Sequence, residues 1–253
     1  MGKVFRGKYL MKEVAIKEYS NFNIYENFEN KSLLTFLSEL INTLFINFPH
    51  VNKCYGVSIN EKEGFVYTVH ELGECSLKKK LKEGLTMKKK HGITKNILEI
   101  MMFLQIKNIV HRDLKPDNFL ITKFWEVQIC DFGTIRTIKN AITHSMNSTF
   151  TVKYAPPEFI NGQELLSLSS DVWSLGIIFY DIYYGENLWK DFKDQNEIIV
   201  KMNQKNIPKI EYRNDVPKEI TKVIQKMLVF EMKDRITVKE IIDSLNELLF
   251  SDI

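Results

Sequence analysis

The chain has 253 residues, 44% of them hydrophobic and 26% charged, enough for one large domain or two lobes around a substantial core. A formal net charge of +3 is too small to imply a nucleic-acid partner, and the longest apolar runs fall far short of a membrane span, which argues against membrane insertion. Three cysteines, Cys54, Cys75 and Cys130, lack the spacing of a zinc site or disulfide framework and fit a reducing, cytoplasmic setting.

The expected elements, in chain order, begin with a β-branched run, Val14-Ala15-Ile16, that ends on Lys17 and predicts a central strand. Leu33, Phe36, Leu37, Leu40, Leu44 and Phe48 recur at three-to-four spacing and predict an amphipathic helix. Tyr55–Ile59 and Phe65–His70 read as short strands about the turn-like segment 60–64. After that the pattern turns helical. Ser76 is placed to cap a short basic helix, and Ile93, Ile97, Met101 and Leu104 form the stripe of a longer one. Further helices are expected near 170–184, 197–203, 218–227 and 237–249. The lysine clusters at 78–80, 82 and 88–90 read as solvated helix faces.

The chemistry concentrates in His111-Arg112-Asp113-Leu114-Lys115-Pro116-Asp117-Asn118, with Asp131-Phe132-Gly133 beginning thirteen positions beyond Asn118. Two carboxylates, an amide and a lysine on two short loops suit the terminal phosphate of a nucleoside triphosphate and its magnesium ions. On these motifs the chain resembles a eukaryotic protein kinase of the Ser/Thr type, and Lys115 is the residue that is similar to Ser/Thr rather than tyrosine kinases. The segment Tyr154-Ala155-Pro156-Pro157-Glu158, with Asp171-Val172-Trp173-Ser174-Leu175-Gly176 and Arg235 beyond it, extends the resemblance over nearly the whole length. The helix around residue 39 and segment 154–158 look most like the tyrosine-kinase-like group.

The resemblance implies an α+β, bilobal fold. A small antiparallel β-sheet lobe with one main helix (1–70) would join through a hinge (71–75) to a larger, mainly helical lobe (76–253). It implies a protein serine/threonine kinase that transfers the γ-phosphate of ATP, with Mg2+, to protein hydroxyls. In these terms Asp113 orients the acceptor and takes its proton, and Lys115 neutralises the moving phosphoryl group. Asn118 and Asp131 hold metal, Lys17 contacts the α- and β-phosphates, and Glu39, twenty-two residues further on, pairs with Lys17. Glu71 and Gly73 offer backbone groups to adenine, Gly2, Val4 and Ala15 also belong to the nucleotide-binding set, and His70 stands at the back of the pocket. Thr151 matches the threonine that contacts Asp113 and Lys115. Asp171 is expected to hold the catalytic-loop backbone, and Glu158 to pair with Arg235. Arg112 suits an activation segment ordered by an upstream activating kinase, at Thr143, Ser145, Ser148 or Thr149. Cys130, beside the pocket, reads as a buried, inert thiol.

One departure stands out. Only Gly2-Lys3-Val4 matches the family's glycine-rich loop, through its final G-x-V. Two accounts stay open: a chain that starts within that loop, or a protein that lacks it. The second account leaves room for a pseudokinase or scaffold with weak or no ATP turnover. Substrate identity and oligomeric state are not legible.

Overall fold

The structure is a computed structural model that describes residues 3–19, 40, 48–60, 65–131, 136–137, 151–162 and 167–250. The expected helix from Leu33 lies outside the described residues apart from Leu40 and Phe48, as do Gly2, Glu39 and the four candidate phosphoacceptors.

The first body is a four-stranded sheet in the order β1-β2-β4-β3, antiparallel throughout. Its strands are β1 (Val4–Tyr9), β2 (Lys12–Tyr19), β3 (Cys54–Asn60) and β4 (Phe65–Glu71). The β1–β2 connection is only Leu10-Met11, both with positive φ (46° and 64°), as a two-residue hairpin turn matching strand twist demands. The alternation Val66, Thr68, with both residues buried, fixes one face of β4 toward the interior.

The second body starts with β5 (Cys75–Ser76) and α1 (Leu77–Glu83), whose cap is Ser76 accepting from the Lys79 amide at 3.4 Å. The long α2 (Met87–Ile106) buries Ile93, Ile97, Met101 and Leu104, as the stripe predicted. Short strands β6 (Ile109–Val110), β7 (Phe119–Ile121), β8 (Val127–Ile129) and β9 (Arg136–Thr137) carry the loops between them. There follow α3 (Pro157–Ile160), α4 (Leu168–Tyr184), α5 (Gln195–Asn203), α6 (Lys218–Met227) and α7 (Val238–Phe250). The architecture is thus α+β and bilobal, a β-sheet lobe followed by a helical one.

Helix α4 is the axis of the helical core, with Trp173, Leu175, Ile177, Ile178, Phe179 and Tyr183 all fully buried. Gly176 lets α6 approach: a Cβ there would sit 2.9 Å from Leu228 and 3.0 Å from Met227. The lysine clusters are mostly solvated, as expected: Lys78, Lys79, Lys82, Lys88 and Lys89 are exposed, and Lys80 and Lys90 are half-buried. Lys78 meets Asp117 at 3.0 Å, Lys90 donates to the Tyr183 carbonyl at 2.9 Å, and Lys89 lies 3.6 Å from the centre of the Trp125 ring. Of these three, only Lys90 is drawn inward, by the Tyr183 carbonyl. Among the described residues no helix is long and apolar enough to cross a membrane.

Candidate active site

Two loops meet beneath the sheet. The first, between β6 and β7, is held from behind by Asp171 near the start of α4. Its carboxylate accepts from the His111 amide at 2.7 Å and the Arg112 amide at 2.9 Å. Arg112 has φ of 73°, a left-handed backbone unfavourable for a long side chain, and the two charge-assisted bonds hold it there. Burial pushes the Asp171 carboxyl up to about 7, against the pull of those two amides.

Within the loop, Lys115 forms an ion pair with Asp113. The Asn118 side-chain nitrogen donates to the Asp113 carbonyl at 2.8 Å, which commits the amide's NH2 to the loop and leaves Oδ1 as its acceptor atom. A turn of 3-10 helix over Pro116–Asn118 sets this spacing. The second loop is stitched to the first by the Cys130 amide, which donates to the Asn118 carbonyl at 2.9 Å. One residue on, Asp131 also has a left-handed backbone, with φ of 65°. Its Oδ1 lies 3.3 Å from Nζ of Lys17, which reaches across from β2.

Burial lifts the Asp113 carboxyl above its ordinary value, and the Lys115 charge only partly offsets this. Partial burial pushes Asp131 up as well, but the positive charges around it, Lys17 first, outweigh that and hold it below its ordinary value. The two carboxylates are therefore driven in opposite directions, a pattern that separates proton acceptor from fixed charge.

On the sheet, strand register places Lys17 opposite Thr68 and Val4, and Ala15 opposite His70 and Arg6, so these side chains share one face. Val4 is 64% exposed. His70 shares a 2.8 Å hydrogen bond with the Thr68 hydroxyl, and burial, with Lys17 nearby, pushes its imidazole down to about 4. It is therefore neutral at physiological pH. Past β4, Gly73 comes so close to β7 that a Cβ would stand 3.0 Å from Leu120. Leu120 is half-buried between the fully buried Phe119 and Ile121, so alternation turns it toward the opposite face, beside Gly73. Leu120 is not among the residues expected from sequence, because a three-residue strand shows no alternation that would mark it.

Lys17, Asp113, Lys115, Asn118 and Asp131 come together in the structure. Thr151 does not join them by hydrogen bonding: its hydroxyl makes no hydrogen bond among the described residues, and its carbonyl accepts from the Tyr154 amide at 2.9 Å. Cys130 is half-buried rather than buried.

Farther along, the Tyr154 hydroxyl donates to Asp181 at 2.7 Å, and the Asn187 amide donates to the same carboxylate at 3.0 Å. Burial pushes Asp181 up to about 7. Its folded value exceeds the unfolded one of about 4, so its contribution to stability is full below pH 4 and is lost as pH rises toward 7. Asp171 acts in the same direction. In Asp181→Asn, the stability difference from the parent protein is expected to change by about 1 kcal/mol per pH unit between pH 5 and 7. Urea unfolding at four pH values measures it, and a difference independent of pH would refute the assignment.

The profile described as "Protein kinase domain" matches residues 1–245. A probable serine/threonine-protein kinase of Dictyostelium discoideum is 29% identical over 259 residues, covering 100% of this chain and 27% of that protein. A probable cell division protein kinase of Encephalitozoon cuniculi (strain GB-M1) is 30% identical over 226 residues, covering 75% of this chain and 84% of that protein. A second probable serine/threonine-protein kinase of Dictyostelium discoideum is 29% identical, and the match covers 97% of this chain and 58% of that protein. The loops and lobes described above are thus those of a phosphotransferase fold, and the chain belongs to the protein kinase family. It spans about a quarter of the length of the first of these relatives and most of the length of the second.

Proposed function

We propose that this domain transfers the γ-phosphoryl group of ATP to serine or threonine hydroxyls of protein substrates. The observation that carries the reading is the convergence of Lys17, Asp113, Lys115, Asn118 and Asp131: two adjoining loops tied by the Cys130–Asn118 backbone bond, with a lysine beside each carboxylate. Asp113, lifted by burial, orients the acceptor hydroxyl and receives its proton late in the transfer. Lys115, paired with Asp113 in the free site, supplies positive charge to the phosphoryl group as it moves. Lys17 holds the α- and β-phosphates, and Asp131 stays ionised beneath them. The oxygen donors Asn118 Oδ1 and the Asp131 carboxylate fit Mg2+, which takes few protein ligands and completes its shell with phosphate and water. Magnesium, when bound there, neutralises charge on the phosphates. Among the described residues no cluster of three or more His, Cys, Asp or Glu could hold a metal by itself.

Residues 1–70 and 76–253 form the two lobes in this reading, and 71–75 the hinge. Backbone groups of Glu71 and Gly73 meet adenine, with Ala15 and Val4 above it and Leu120 below. Glu39 and Gly2 keep their expected roles as proposals, and Thr151 stands at the acceptor side. The spacing of Cys54, Cys75 and Cys130 fits a reducing, cytoplasmic location, which belongs to this reading. Incubation with labelled ATP, Mg2+ and a generic protein acceptor is expected to place acid-stable, base-labile phosphate on serine or threonine. A protein that binds partners but transfers none, at any magnesium concentration, would instead be a pseudokinase scaffold.

A further inference from the structure

Behind the segment that joins the lobes, three polar side chains unused in the chemistry above form a closed ring. Asn52 is 3% exposed and Gln128 is 7% exposed. The Asn52 side-chain nitrogen donates to the Glu71 carbonyl at 3.0 Å and to Gln128 Oε1 at 3.1 Å. Gln128 Nε2 in turn donates to Glu71 Oε2 at 3.0 Å. Glu71 fixes the direction of the whole ring. Its carboxylate only accepts, so Gln128 must face it with nitrogen and face Asn52 with oxygen, and Asn52 must spend both hydrogens as observed.

Backbone bonds fasten the same three segments. The Asn52 amide donates to the Ile129 carbonyl at 2.9 Å, the Ile129 amide to the His50 carbonyl at 2.8 Å, and the Glu71 amide to the Lys53 carbonyl at 2.8 Å. The ring therefore ties the end of β4 to the stretch before β3 and to β8, which ends two residues before Asp131. Buried amides bring a desolvation cost that apolar residues of similar volume would avoid, so a fully satisfied ring here specifies geometry more than it adds stability.

We infer that Asn52 and Gln128 are positioning residues for nucleotide binding: a side-chain clasp that aims the Glu71 carbonyl and couples the adenine end of the pocket to the strand leading to Asp131. The inference rests on the proposed role of Glu71 toward adenine. Asn52 occupies one lone pair of that carbonyl and leaves the other for a donor on the ligand. Neither Asn52 nor Gln128 has a place in the proposed catalytic or nucleotide-contacting set.

Asn52→Ala and Gln128→Leu each remove two hydrogen bonds of the ring and are each expected to raise the KM for ATP about fivefold or more, with kcat within about twofold. Asn52→Asp keeps the shape but turns an acceptor toward the Glu71 carbonyl, and is expected to raise KM at least as much. Amide hydrogen exchange without nucleotide should quicken together at residues 71–74 and 128–131 in each variant. A lowered melting temperature with KM unchanged would reduce the ring to a structural role and overturn the proposal. A kcat that rises while KM holds would make it a restraint on turnover instead, and would also overturn it. If the parent protein binds no Mg-ATP, the functional reading fails and the positioning role falls with it. If the parent binds but Asn52→Ala leaves exchange at both segments unaltered, the clasp alone is refuted.

Discussion

Asp113→Asn is expected to lower phosphoryl transfer by about 10²- to 10⁴-fold while Mg-ATP affinity stays within about twofold, the range over which a positioned proton acceptor contributes. Asparagine matches the aspartate in shape but cannot take a proton, and its amide does not answer the Lys115 charge. Lys115 is only 9% exposed at its side chain, so the variant also leaves an ammonium with weakened compensation beside Asp131. The melting temperature should fall in consequence, and this drop must be separated from the loss of rate. Calorimetric titration with Mg-ATP and single-turnover transfer, both well below the melting temperature, make that separation. Asp131→Asn should behave differently: magnesium-dependent nucleotide binding weakens, because the carboxylate held ionised by Lys17 is the one lost. Equal effects of the two substitutions on binding would remove the division of labour drawn from their opposite displacements.

Much of this arrangement was legible in the sequence, for a physical reason. Residues bound by chemistry sit at fixed short spacing on loops, so Asp113, Lys115 and Asn118 could be placed together from their order alone. Helix α2 declared itself through periodicity, the stripe of Ile93, Ile97, Met101 and Leu104 that it buries. The Asp171 contacts with the His111 and Arg112 amides were expected and are present. What escaped depends on contacts between distant segments. The strands β5 to β9 are two or three residues long, too short for any alternation to show. The Asn52–Glu71–Gln128 ring joins residues 57 and 76 positions apart through neutral amides, which carry no motif. Leu120 was overlooked because a leucine in a β-strand reads as core unless its two neighbours are already known to be buried.

The Glu158–Arg235 pair should dominate the stability of the helical lobe. Both side chains are almost wholly inaccessible, and the guanidinium meets the carboxylate at two points, 2.8 and 2.7 Å. The other Arg235 donors go to the carbonyls of Val229 at 2.6 Å, Ser169 at 3.0 Å and Phe230 at 3.0 Å, and the group stacks 5.1 Å from the Trp173 ring centre. All five N–H groups are therefore engaged. Glu158→Ala leaves a buried cation with two donors unanswered, and is expected to cost about 3–5 kcal/mol. Arg235→Ala should reach the upper end of that range, because it orphans a carboxylate and three carbonyls together. Glu158→Gln retains one acceptor and should cost less than Glu158→Ala. Since each single change includes the penalty of stranding the other charge, the double variant should cost well below the sum of the two. Urea unfolding at low and at 0.5 M salt checks this, and the pair, shielded from solvent, should respond little to salt. Additive losses, or single losses below about 1 kcal/mol, would mean that the pair is solvated in solution and that α3 is anchored to the helical core by other contacts.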